Sequence, residues 1–207
     1  MTDFRAISCN PRGVLAAAGL ILIALSPLAL SQSSAKPSAT KLSPAAERGK
    51  YLVSILACDD CHTPLQWGPN GPAPDMTKHL NGHPEGVTMG PPPAPTGGWL
   101  WAGAATSTAF AGPWGISYAT NLTPDENTGI GIWTEKMFVD TIRNGKHMGT
   151  SRPLLPPMPW MAYRNLSEED LKSIYAYLRT LKPVRNRVPD FEEAKPAAAP
   201  APGPAKK

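Results

Sequence analysis

Two cysteines three positions apart with a histidine directly after them, Cys58-Asp59-Asp60-Cys61-His62, constrain this chain more than any other feature. The spacing is that of covalent haem attachment. Each thiol adds across a vinyl group of the macrocycle, and the helical turn between them carries the next imidazole beneath the iron. Cys58 and Cys61 are therefore read as the thioether residues and His62 as the proximal ligand of one covalently bound haem c per chain. A redox-active thiol pair and half of a zinc site share the pattern. The first calls for a βαβ context that the flanking residues do not offer. The second calls for another ligand pair, which His79, His83 and His147 do not form.

The N-terminal stretch bears on the compartment. Arg5 and Arg12 precede an apolar run from Val14 to Leu25, and small residues follow at Ala29-Leu30-Ser31 and again at Ser33-Ser34-Ala35. This is the pattern of a secretory signal over residues 1–31, with cleavage as late as 35 as the alternative. Cys9 lies ahead of the apolar run and would leave with it. The competing reading is an uncleaved inner-membrane anchor facing the periplasm, against which Gly19, Ser26 and Pro27 count. Residues 32–41 read as a linker, 42–189 as one domain, and 190–207 as a disordered Ala/Pro/Lys tail. The formal net charge of +4 is mild. With no Lys/Arg-rich run interleaved with aromatics, nucleic acid is not an expected partner.

Three helices are legible within the domain. Ser43-Pro44 is a helix start, and Tyr51, Leu52, Ile55 and Leu56 mark one apolar face leading into Cys58. Thr134 caps a second, which Gly145 ends. Ser167 caps a third, with Glu168, Glu169 and Asp170 in its first turn, Leu171, Ile174, Tyr175, Leu178 and Leu181 as its stripe, and Pro183 as its end. The first and last are natural packing partners. Between Thr63 and Asn121 the chain is rich in Pro and Gly without a long periodic segment, and is expected to be irregular. Trp67, Trp99, Trp101 and Trp114 are read there as core anchors, with a partner-binding patch as the alternative.

What fills the sixth position on the iron separates an electron carrier from a ligand binder. Met158, in Leu154-Leu155-Pro156-Pro157-Met158-Pro159-Trp160, is the leading candidate, because the flanking prolines restrict the backbone around its thioether. Met148 is its main rival. His79, His83 and His147 have polar or Gly/Pro neighbours and are expected at the surface. The other ring nitrogen of His62 should bond a carbonyl, for which the stretch Pro69 to Pro74 is a candidate.

In this order the motifs resemble class I c-type cytochromes across roughly Leu42 to Pro189. More closely, the chain is similar to bacterial periplasmic single-haem cytochromes related to the cytochrome subunit of membrane-associated alcohol dehydrogenases. Tyr51-Leu52 before the haem motif, Asn121-Leu122-Thr123-Pro124-Asp125, Thr128-Gly129-Ile130-Gly131 with Trp133, Leu155-Pro156-Pro157-Met158-Pro159 and Ala176-Tyr177-Leu178 carry the resemblance. It implies a mainly α, class I cytochrome c fold, with a long Pro/Gly-rich insertion between the haem motif and the distal methionine. It also implies Cys58 and Cys61 as attachment sites and His62 and Met158 as axial ligands. The dehydrogenase subunits of that group carry three haem motifs, and this chain has one.

The leading functional expectation is a periplasmic one-electron carrier without substrate chemistry of its own. Its donor would be a periplasmic dehydrogenase, and its acceptor another cytochrome or a terminal oxidase. The alternative is the electron-transfer subunit of a larger dehydrogenase complex, which would also bring it to the membrane. A haem enzyme or sensor with an open sixth position is a third reading.

Overall fold

The computed structural model describes residues 41–92 and 98–194. The proposed signal, nearly all of the linker and the tail beyond residue 194 lie outside the described residues. Ser43 accepts a hydrogen bond from the amide of Ala46 and opens α1, Pro44–Ile55. The helix ends at Leu56, and Ala57 turns the chain through a left-handed conformation (φ 57°). The haem motif itself is a single short helix, α2, Cys58–His62.

Thr134 caps α3, Glu135–Asn144, and Gly145 terminates it at φ 65°, as the sequence predicts. After a one-turn helix α4, Trp160–Tyr163, Ser167 caps α5, Glu168–Leu178. Pro183 stands several residues beyond the end of α5 and does not itself set it. Helices α1 and α5 pack face to face, at a point where Gly49 leaves the backbone of Ser173 no room for a side chain between them. Leu52, Val53, Leu171, Ile174 and Leu178 form the core of this contact, and Phe138 and Ile142 of α3 complete it.

The region from Thr63 to Asn121 is not simply irregular. A hairpin of β1, Leu65–Gly68, and β2, Gly71–Pro74, comes first. A second antiparallel sheet follows in the order β3-β4-β5-β6, built from Ala102–Gly103, Ala109–Gly112, Gly115–Tyr118 and Glu192–Glu193. The last strand comes from residues that the sequence assigns to the tail. Gly115, at φ 110°, admits it: a Cβ there would lie 1.9 Å from the carbonyl oxygen of Glu192. The whole is mostly helical with two small sheets. No helix among the described residues is long and apolar enough to cross a membrane.

Candidate haem site

Helix α2 stands at the edge of a cavity of about 330 Å³, within the range of roughly 300–1,000 Å³ usual for cofactor and ligand pockets. Cys58, Cys61, His62 and Met158 all line it, although the methionine lies far along the chain from the other three. Aliphatic and aromatic side chains of the helical core, among them Leu56, Ile130, Phe138 and Ile174, form most of the wall. Met148 is not on the wall, and Met161 is largely exposed.

Burial sets the chemistry of the motif. The Cys58 thiol is pushed up to about 12 by desolvation, with the neighbouring Asp59 adding to the shift. Cys61 moves the same way, through desolvation and then Asp60. Such thiols differ from the depressed thiols of exchange-active pairs, and the two form no disulfide with each other. Desolvation lowers the pKa of His62 and keeps its ring neutral, as an iron ligand requires. Its Nδ1 stands 2.8 Å from the carbonyl oxygen of Thr120. A carbonyl can only accept, so Nδ1 carries the proton and the lone pair of Nε2 is left free. The partner is therefore Thr120, not a carbonyl of the 69–74 stretch, because that stretch is taken up by the β1-β2 hairpin.

The loop that provides Thr120 is held by its own side chains. Asn121 accepts from the amide and hydroxyl of Thr123, and donates to the Thr128 hydroxyl and the Val184 carbonyl. Asp125 accepts from the amides of Asn127 and Thr128 and from the Thr128 hydroxyl, which hold its carboxyl below the usual range. Gly129 and Gly131 pass too close to the backbone of this loop to carry a Cβ. The motif Asn121 to Gly131 thus builds a rigid wall of the cavity.

On the opposite run, the carbonyl of Pro156 accepts from Ser117 Oγ at 2.6 Å, tying the Met158 segment to β5. Tyr163 donates to the carbonyl of Leu56 and fastens α4 to the end of α1. The cavity is finished by a strap that the sequence does not announce, where Arg187, Val188, Pro189, Asp190 and Phe191 line it just before β6.

Several expectations are corrected. His83 is wholly buried, held 2.9 Å from both Thr108 Oγ1 and the Val87 carbonyl, and stands apart from the cavity. His147 is half-buried, edge-on to Trp133, and lies on the cavity wall. His79 lies 3.3 Å from Asp59 Oδ1 and 3.3 Å from the Tyr177 hydroxyl. The tryptophans of the Pro/Gly-rich region are not core anchors. Trp67, Trp99 and Trp101 are 67%, 76% and 44% exposed, because the two small sheets fold outside the helical core. Only Trp114 is half-buried, with its indole N–H 3.3 Å from Ser117 Oγ.

No family model matches the chain. Among curated proteins it is 32% identical to the fructose dehydrogenase cytochrome subunit of Gluconobacter japonicus over 159 residues, which is 77% of this chain and 23% of that protein. It is 28% identical to the cytochrome c subunit of the quinone alcohol dehydrogenase of Gluconobacter oxydans, over 70% of this chain and 24% of the other. A shorter match, 41% identical over 68 residues, is to the gluconate 2-dehydrogenase cytochrome c subunit of Pantoea cypripedii, covering 33% of this chain and 15% of that one. The chain is homologous to the cytochrome c subunits of dehydrogenases. It spans about a quarter of the length of the two Gluconobacter cytochrome subunits.

Homology to cytochromes c implies haem c, and the cavity fits that group. A flat apolar macrocycle finds an apolar wall, two thiols on one rim, an imidazole with its free nitrogen fixed by a carbonyl, and a thioether on the same cavity. These donors are nitrogen and soft sulfur, the set used by electron-transfer haems.

Proposed function

We propose that the chain is the electron-transfer cytochrome of a larger dehydrogenase complex, carrying one haem c attached through Cys58 and Cys61, with His62 and Met158 as its axial ligands. The observation that carries this reading is that these four residues line one apolar cavity. Haem supplies one-electron chemistry between ferric and ferrous iron. The chain's own residues do the rest. Thr120 fixes the tautomer and orientation of His62, and the Ser117–Pro156 bond holds the methionine segment against β5. The apolar wall excludes water. A neutral thioether and a dry surrounding both favour the ferrous state, so the reduction potential is raised.

The relatives favour a subunit over a free carrier, since those compared above are all named as cytochrome subunits of dehydrogenases. The substrate oxidation belongs on a partner, and transfer through this chain needs only a haem edge near that partner. Residues 42–193 form the haem-binding unit in this reading, exported to the periplasm behind the signal at 1–31. Purification of the full chain from its native source tests the assignment. A haem band that survives denaturing electrophoresis and a stoichiometric dehydrogenase in the native preparation are expected. A chain isolated with haem but always alone would return the free-carrier reading, and a chain without covalent haem would end both.

A further inference from the structure

We infer that Arg152 and Arg187 are the anchors for the two propionate carboxylates of the bound haem. This rests on the haem reading above. It begins from the arginines themselves, because a guanidinium is always charged and seeks a carboxylate, a carbonyl or an aromatic face. Arg48 pairs with Asp170 and Arg185 with Glu85. Arg143 bonds the carbonyl of Arg164, Arg164 lies over the Trp160 ring, and Arg179 bonds the carbonyls of Ile130 and Gly131. Among the described residues, Arg152 and Arg187 alone of the arginines have a guanidinium with no such partner, and both line the haem cavity.

Their backbones, by contrast, are firmly held. The Arg152 carbonyl accepts from the His147 amide at 2.9 Å, and the adjoining Pro153 bridges to Lys146. Arg187 follows Asn186, a buried side chain that donates to the carbonyls of Asn81 and His83 and accepts from the Glu85 amide. Two fixed backbones thus hold two exposed, unengaged cations beside a mostly apolar cavity whose lining includes both. A macrocycle with two carboxylates is matched by this complement, since a carboxylate brought against an apolar wall without a charged partner is strongly disfavoured or protonates.

Two other polar groups on the wall are committed elsewhere. The Tyr118 hydroxyl donates to Glu192, and the Asn121 amide is used by Thr128 and Val184. His147 is kept from charging by desolvation and then by Arg152 beside it. Asp190 is the one acid on the wall.

The test uses the full holoprotein. Covalent haem on a denaturing gel is scored first in the parent, and its absence would overturn the haem reading itself. In haem-loaded protein, Arg152→Gln and Arg187→Gln should each keep the haem band. Each should displace the propionate bending band in resonance Raman spectra and lower the ferrous-to-ferric ratio several-fold at the parent's midpoint. Arg152→Lys and Arg187→Lys should restore that ratio while leaving the band displaced, since charge returns without the planar fork. Arg185→Gln should move neither readout. Bands and potentials unchanged in both glutamine variants would overturn the inference. Should those variants not fold, an undisplaced propionate band in both lysine variants would overturn it equally.

Discussion

At the scale of single residues, the thiols and the two axial candidates make separable demands. Cys58→Ala with Cys61→Ala should leave no haem on the chain after denaturation and acid extraction, and retention by the double variant would defeat the attachment assignment. Met158→Ala should remove the weak near-red absorption of a ferric iron-thioether bond, lower the potential and admit azide. Met148→Ala should change none of these, and the reverse outcome would exchange the two residues. Asp59 makes a different prediction. Its carboxyl is pushed above its ordinary value of 3.8, first by desolvation, with His79 opposing and Asp60 assisting. A raised carboxyl contributes stability that is complete below its unfolded value and is lost as pH rises through the folded one. Asp59→Asn should therefore melt higher than the parent at pH 7, with the advantage fading below pH 3.8. Equal differences at both pH values would show that the burial is without consequence. The proposed thiols, His62 and Met158 can be singled out in the sequence, because the chemistry assigned to them imposes spacing or backbone restriction, and the structure brings all four to one cavity. Thr120, and the Arg152 and Arg187 inferred above, cannot, since a carbonyl acceptor and two isolated cations leave no pattern along the chain.

Among the elements, those that were readable carry their own signals. Ser43, Thr134 and Ser167 each accept from an amide in the first turn of a helix whose apolar stripe is periodic. The small sheets had no such signal. Their strands are two to four residues long and rich in Ala, Gly and Pro, so they pair by position in the fold and not by propensity. The contact between α1 and α5 makes the sharpest prediction at this scale. Gly49→Ala in a free helix would gain about 0.5–1 kcal/mol from reduced backbone freedom. Here the new Cβ would meet the Ser173 carbonyl oxygen at 1.9 Å and Tyr177 Cβ at 2.8 Å, both on a packed helix that cannot yield locally. Overpacking costs about 1–3 kcal/mol and occasionally more, so the net effect is destabilising. Denaturant unfolding of the holoprotein should show a lower midpoint at unchanged slope. A midpoint equal to or above the parent's would mean that the helices part freely.

For the molecule as a whole, the cavity is closed by segments from both ends of the described chain. Helix α2 supplies one rim early, and residues 187–191 supply the strap before β6 pairs with β5. Ending the chain after Pro189 should remove Phe191 and β6 and lower the thermal midpoint of the holoprotein, whereas ending it after Ala194 should not. Equal midpoints would make the strap dispensable. The closing contacts are distant in sequence, with Asn186 bonded to the carbonyl of Asn81 across 105 positions. Contacts of such separation form late, because the intervening loop must first be closed. The thiols, in contrast, sit on a one-turn helix whose geometry is local. On this ordering, the haem we propose would meet its attachment segment while the pocket is still a cleft, before residues 187–191 seal it. Separation along the chain would in this way place the closing contacts after the local ones, with the proposed cofactor as a guest seated before the door exists.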